Sequence, residues 1–114
     1  MTQNTFSAEI RKENQRVVID LHGEINALAD EMLNQAYTKA ESHNPEVIVL
    51  NFSDVDYINS TGIALIVGLL AQTRKTHRRL VVYGLSDHYV QIFQITRLSD
   101  FMDIFQDETS ALAS

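Results

Sequence analysis

The segment VIVLNFSDVDYINSTGIALIVGLLAQT, Val47 to Thr73, reads as a strand, a junction and a helix in direct succession. Val47-Ile48-Val49-Leu50 is apolar, short and β-branched, the pattern of a buried central strand that runs to about Phe52. From Gly62 onward a long apolar pattern at helical spacing takes over. Between them stands Asn59-Ser60-Thr61-Gly62, three residue types that cap helices followed by a glycine. The junction therefore presents a hydroxyl at the positive end of a helix. In an open α/β sheet, such strand-to-helix connections are where ligands and partners meet the fold.

Upstream, Arg16–Leu21 (RVVIDL) is a second strand, ended by His22-Gly23. An edge strand over Thr5–Ile10 pairs with it antiparallel through a polar turn at Arg11–Gln15. Asn26 caps a helix that runs to about Ser42, with Asp30 and Glu31 near its positive end. Ala29, Leu33, Ala36, Tyr37 and Ala40 form its core face, and His43-Asn44-Pro45 stops it. Downstream, the helix opened by Ser60 runs to about Thr76. The basic cluster Thr73–Arg79 reads as macrodipole compensation beside a solvated turn. Leu80–Tyr83 is a strand closed by Gly84. Ser86 caps a third helix, with Leu85 and Val90 placed as a hydrophobic staple and Tyr89, Ile92, Phe93 and Thr96 facing inward. Phe101–Phe105 holds a last short strand, and Asp107–Ser114 begins a helix too short to stand alone. The order β-β-α-β-α-β-α-β plus a short C-terminal tail gives one α/β domain over residues 1–114. Its core is a mixed β-sheet of about five strands with helices packed on it.

Composition narrows the function. A single domain of 114 residues buries about 65% of the surface of its unfolded chain. The formal net charge of −6 argues against nucleic acid as the main partner, because phosphate binding needs a basic face. With no cysteine, disulfides and zinc-thiolate sites are excluded. The start MTQNTFSAEIRKENQ has no apolar signal core, and no segment reaches the roughly 20 apolar residues of a membrane span. A cytoplasmic protein without membrane association is the expectation. His22, His43, His77 and His88 show no metal spacing. Asn-Ser-Thr-Gly is not a nucleophile elbow, Asp54 and Asp56 read as a solvated loop, and no Gly-rich phosphate loop is present. Neither an enzyme nor a cofactor is expected.

The second helix carries more apolar surface than one interface needs. Ile63, Ile66, Val67 and Leu70 suffice as the sheet-facing stripe, which turns Ala64, Leu65, Gly68 and Leu69 to the other side. A chain this short has little material for a second layer, so the Leu65/Leu69 face is expected to be partly exposed and to dock another protein. The competing reading covers it with the first helix or the C-terminal tail. Ala64 and Gly68 would let a partner approach the backbone closely, and a packing role would explain the cost of a helical glycine.

Ser60 has two readings from spacing alone: a helix cap, or a hydroxyl that accepts phosphate. Phosphate would add about −1.5 to −2 charge beside the docking face, held by the helix N-terminus and expelling a partner. Thr61 competes for the same role. Here a resemblance bears on the choice. Leu21–Asn26 (LHGEIN), Val47–Ile63, Leu80–Gly84 and Ile95–Phe105 come in the order and spacing of a STAS domain (sulfate transporter and anti-sigma factor antagonist) over nearly the whole chain. The chain resembles in particular the small free-standing bacterial anti-sigma factor antagonists. That resemblance implies a partner-switching protein whose unphosphorylated form binds an anti-sigma factor that is also a GHKL-type serine kinase, releasing a sigma factor. It implies Ser60 as the residue phosphorylated and a PP2C-type phosphatase as the enzyme that restores it. Together with the α2 face read above, the expected partner-binding set is Asn26, Asp56, Tyr57, Asn59, Ser60, Thr61, Ala64, Leu65, Gly68 and Leu69. The family pattern usually has Asp where this chain has Asn26 and Asn59, so two negative charges are missing from those loops. The alternative is an unphosphorylated STAS scaffold subunit of a signalling or lipid-transport assembly.

Overall fold

The computed structural model describes residues 5–114; Met1–Asn4, the start of the stretch read above as lacking a signal core, lie outside them. Among the described residues, β1 (Ser7–Glu13), β2 (Arg16–Ile25), β3 (Val47–Ile58), β4 (Arg79–Tyr83) and β5 (Asp103–Phe105) form one sheet in the order β1-β2-β3-β4-β5. The β1–β2 hairpin is antiparallel and every other pairing is parallel. Helices α1 (Asp30–Glu41), α2 (Ser60–Lys75) and α3 (Asp87–Ile95) make the crossovers, and α4 (Glu108–Leu112) follows β5. The expected mixed α/β sheet is present.

Strand residues divide by parity between two cores, as a side-chain period of two requires. Ile48, Leu50, Phe52, Leu80 and Val82 join Leu33, Tyr37, Ile66 and Phe93 from α1, α2 and α3 on one face. Val18, Val47, Val49, Val81 and Tyr83 pack with Ala111 of α4 on the other. β3 thus has strands on both sides and helices on both faces, which is why Val47–Leu50 is apolar without alternation. The α1 core face is as expected, with Ala29, Leu33, Ala36, Tyr37 and Ala40 all buried.

Several boundaries differ from the sequence reading. β1 continues to Glu13, so the hairpin turn is only Asn14-Gln15, with Asn14 left-handed at φ 59°. β2 does not stop at His22-Gly23. It passes through Gly23, which holds φ 89° inside the strand, and ends at Ile25. β3 likewise continues past Phe52 to Ile58. Against β2 its register slips between Asp20 and His22 and again between Gly23 and Glu24. Those bulges scramble the inside–outside alternation, which hid the extension. Asp54 and Asp56 are therefore strand residues rather than loop, and Asp54 Oδ2 lies 3.3 Å from His22 Nδ1. β5 begins at Asp103, leaving Phe101 outside it, and Thr96 is exposed rather than inward.

α4 is a helix despite its shortness because the sheet holds it. Asp107 caps it, accepting from Ser110 N at 2.8 Å. Glu108 pairs with Arg11 and accepts from the Tyr83 hydroxyl at 2.8 Å. Arg11 also grips Asp20 at 2.6 Å, and Asn51 donates to Asp20 at 2.7 Å. Burial pushes the Asp20 carboxyl up, but the bonds from Arg11 and Asn51 outweigh it and hold it below its ordinary value. Arg11 does the same to Glu108. No helix of the described residues is long and apolar enough to cross a membrane.

Candidate functional site

The C-terminal ends of β2 and β3 carry two helix starts side by side. Asn59 N donates to Ile25 O at 3.2 Å, which ties one junction to the other. A Cβ added at Gly62 would stand 2.1 Å from that same carbonyl oxygen, so only glycine lets the α2 start lie this close to the end of β2. Tyr89 of α3 pins the junction from beneath. Ile58 N donates to its hydroxyl at 2.8 Å, and the hydroxyl reaches Ile58 O at 3.4 Å. β4 ends opposite Asn51, so this backbone has no strand partner on that side and Tyr89 takes its place. Tyr89 was read from the sequence as facing inward; the role of its hydroxyl left no signal there.

Each helix start is capped by an asparagine. The Asn26 side chain accepts from Leu28 N at 2.9 Å, opening a 3-10 turn over Ala27–Ala29 before α1. Asn59 accepts from Gly62 N at 2.8 Å. The cap of α2 is therefore Asn59, not Ser60. Ser60 is the first helical residue and is exposed, with Thr61 exposed beside it. An Asn at each cap keeps the local geometry an Asp would give without its charge.

Of the other residues singled out from the sequence, Asp56 and Tyr57 are exposed on the end of β3, Tyr57 to 52%. Ala64 and Gly68 are exposed on α2, and Leu65 is half-buried against the main core. Leu69 is not on the surface: at 2% exposure it belongs to the core. Val67, expected to face the sheet, is 44% exposed instead. The helix is rotated from the expected setting because α1 packs along its flank, and Leu69 turns into the seam between the two. That seam leaves a groove of about 350 Å³ bordered by Asn34, Tyr37, Leu65, Gly68 and Leu69. A Cβ added at Gly68 meets nothing within 4 Å, so no part of the described chain uses the space above it. Val67 and Leu28, the latter exposed to 86% and not singled out from the sequence, add to the exposed apolar surface.

Charge is one-sided here. No lysine or arginine occurs from Val17 to Thr38 or from Ala40 to Thr73, the segments that build both junctions. Within these segments, the fixed positive potential offered to Ser60 is that of the α2 amides.

Comparison with known proteins agrees with this geometry. The STAS domain profile matches residues 7–111. An anti-sigma-B factor antagonist of Listeria monocytogenes is 31% identical over 100 residues, covering 87% of this chain and 88% of the relative. One from Staphylococcus aureus is 29% identical over 86 residues, covering 75% and 80%. The fold matches an anti-sigma factor antagonist from Mycobacterium paratuberculosis with a TM-score of 0.83 at 17% identity, over 96% of this chain and 92% of that one. It also matches the Bacillus cell fate determinant SpoIIAA in its phosphorylated form with a TM-score of 0.71 at 24% identity, over 96% and 97%. From the domain profile, the Listeria relative and the shared fold together, the chain belongs to the STAS-domain family of anti-sigma factor antagonists.

Proposed function

We propose that this protein is a phosphorylation-switched binding module that works by partner switching. Unphosphorylated, its α2 face and the paired junctions bind an anti-sigma factor that is also a GHKL-type serine kinase, and a sigma factor or other target is released. Phosphorylation of Ser60 ends that binding, and a PP2C-type phosphatase restores it. The observation that carries this reading is Ser60 itself, exposed at the first position of α2 while Asn59 supplies the cap. Its hydroxyl is not needed to start the helix, so it can be modified without removing the cap.

The electrostatics support a switch. A phosphate on Ser60 would meet the α2 N-terminus, which favours it locally. With no cation on the adjoining segments, most of its roughly two negative charges would face solvent and any approaching partner. The apolar surface around Ala64, Leu65 and Val67 would then lie beside a group that resists desolvation. The names of the curated relatives, anti-sigma-B factor antagonists, support the nature of the partner.

Incubation with ATP and an anti-sigma serine kinase from the same genome tests the reading. One phosphate should be incorporated, none into Ser60→Ala, and Ser60→Asp should no longer form the kinase complex that the unmodified chain forms. A Ser60→Asp chain that binds the kinase as tightly as the parent overturns the switch.

A further inference from the structure

At the end of α2 away from Ser60 the charge pattern reverses. Arg74, Lys75, Arg78 and Arg79 follow one another with no carboxylate between them, in a chain whose net charge is −6. Arg74 and Lys75 lie in the last turn of α2, where the macrodipole accounts for them. It does not account for Arg78 and Arg79, which lie beyond the helix. Nor does it account for Phe101, 54% exposed with the Arg74 guanidinium 5.0 Å from its ring centroid. Arg74, Arg78, Arg79 and Phe101, together with Asp100 and Asp103, border a cavity of about 250 Å³ whose inner wall is the buried Leu70, Leu80 and Met102.

The carboxylates facing this rim are already engaged. Glu41 lies 3.7 Å from Arg78, Asp103 2.8 Å from Arg79, and Asp100 2.6 Å from Arg97. Arg74 and Lys75 are exposed, and each of the three carboxylates faces another arginine. The result is a hollow with an apolar floor whose rim carries three arginines and two aspartates, Arg74 having no carboxylate partner among the described residues. A concave hollow suits an inserted side chain, whereas a lipid surface would need a flat or convex apolar patch.

We propose that this pole is a second docking site, for an acidic peptide segment of a partner protein that carries one bulky apolar residue. The apolar side chain fills the hollow against Leu70, Leu80 and Met102, and the flanking carboxylates meet Arg74 and Lys75. Along α2 the two sites are about 21 Å apart, so this occupant need not touch Ser60 and both faces can be filled together.

The probe is a fluorescein-labelled peptide with four Glu on each side of one central Leu, titrated against the full chain by anisotropy at low and high salt. Amide NMR shifts locate the site. Binding at low salt that weakens as salt rises, with shifts at Arg74 and Phe101 but not at Ser60, supports the proposal. Arg74→Glu should weaken it about tenfold or more, as expected for losing a charge-assisted contact. Replacing the peptide's Leu by Ser should weaken it comparably, while Ser60→Asp should leave it unchanged. Arg74→Ala is a milder second variant, with circular dichroism as the check on folding. Equal binding of the Leu and Ser peptides, shifts centred on Ser60, or no binding at low salt overturns it. So does Arg74-dependent binding to phosphatidylglycerol vesicles without peptide binding.

Discussion

Gly62 and Gly68 sit on the same helix under opposite constraints. At Gly62 an added methyl would collide with Ile25 O, so either the end of β2 or the start of α2 must move. Gly62→Ala should lower the urea midpoint by the equivalent of about 1–3 kcal/mol. At Gly68 the space is open, so alanine keeps only its helix-propensity advantage and should stabilise by about 1 kcal/mol. Urea unfolding of the two variants checks both signs; Gly68→Ala should also weaken kinase binding if the groove above it is part of the interface. Tyr89 makes the third residue-level case. Tyr89→Phe leaves the backbone of Ile58 without the partner it has at 2.8 Å, which should cost about 1–3 kcal/mol. Hydrogen exchange at Ile58 and Asn59 should speed up, and unchanged protection would mean another group holds the junction.

Among the elements, α4 depends most on a few contacts. It is too short to be stable alone, and its attachment is Ala111 on the valine face plus Glu108 on Arg11 and Tyr83. Asp20 and Glu108 both have folded pKa values below their unfolded ones, so the unfolded chain binds more protons in acid. The stability they contribute is complete above the unfolded carboxylate values of about 4 and is lost as pH falls through the lower folded ones. Glu108→Gln should therefore reduce stability at pH 7, and the gap to the parent in urea melts should close toward pH 3. A gap that stays constant with pH would place the effect in packing instead. α2 offers the complementary test of which face is core. Leu69→Ala should destabilise by about 2–5 kcal/mol, whereas Leu65→Ala, half-buried, should cost clearly less.

Across the whole molecule, the charges are sorted along α2. The end that carries Ser60 is built from segments without a cation, and the far end holds Arg74, Lys75, Arg78 and Arg79. The radius of gyration, 12.9 Å, is close to the roughly 13 Å of a compact chain of this length, so the sorting lies on one compact body. A negative group on Ser60 would act at the surface of that body. Ser60→Asp should melt at the same temperature as the parent or slightly above it, because a negative charge at a helix start is favourable by about 0.3–1 kcal/mol. Loss of the kinase complex together with an unchanged melting temperature, read by calorimetry and pull-down, separates a surface switch from an unfolding one.

Periodicity and composition alone determined the order of elements, the apolar run of β3, the core face of α1 and the capped start of α2 at Ser60. Those features depend on neighbours in sequence: local propensity, capping chemistry and a hydrophobic repeat that a single segment displays. The lengths of β2 and β3 were not legible, because bulges and a left-handed Gly23 erase the alternation that marks a strand. Nor was the setting of α2, since an all-round apolar helix has no unique inward direction until α1 packs beside it and claims Leu69. The cap exchanged between Ser60 and Asn59, the collision that fixes Gly62, and the Tyr89 hydroxyl under Ile58 all join residues far apart in the chain or settle a choice between adjacent equivalents. Only the assembled sheet decided them, because only there do the end of β2, the end of β3 and α3 come within hydrogen-bonding reach.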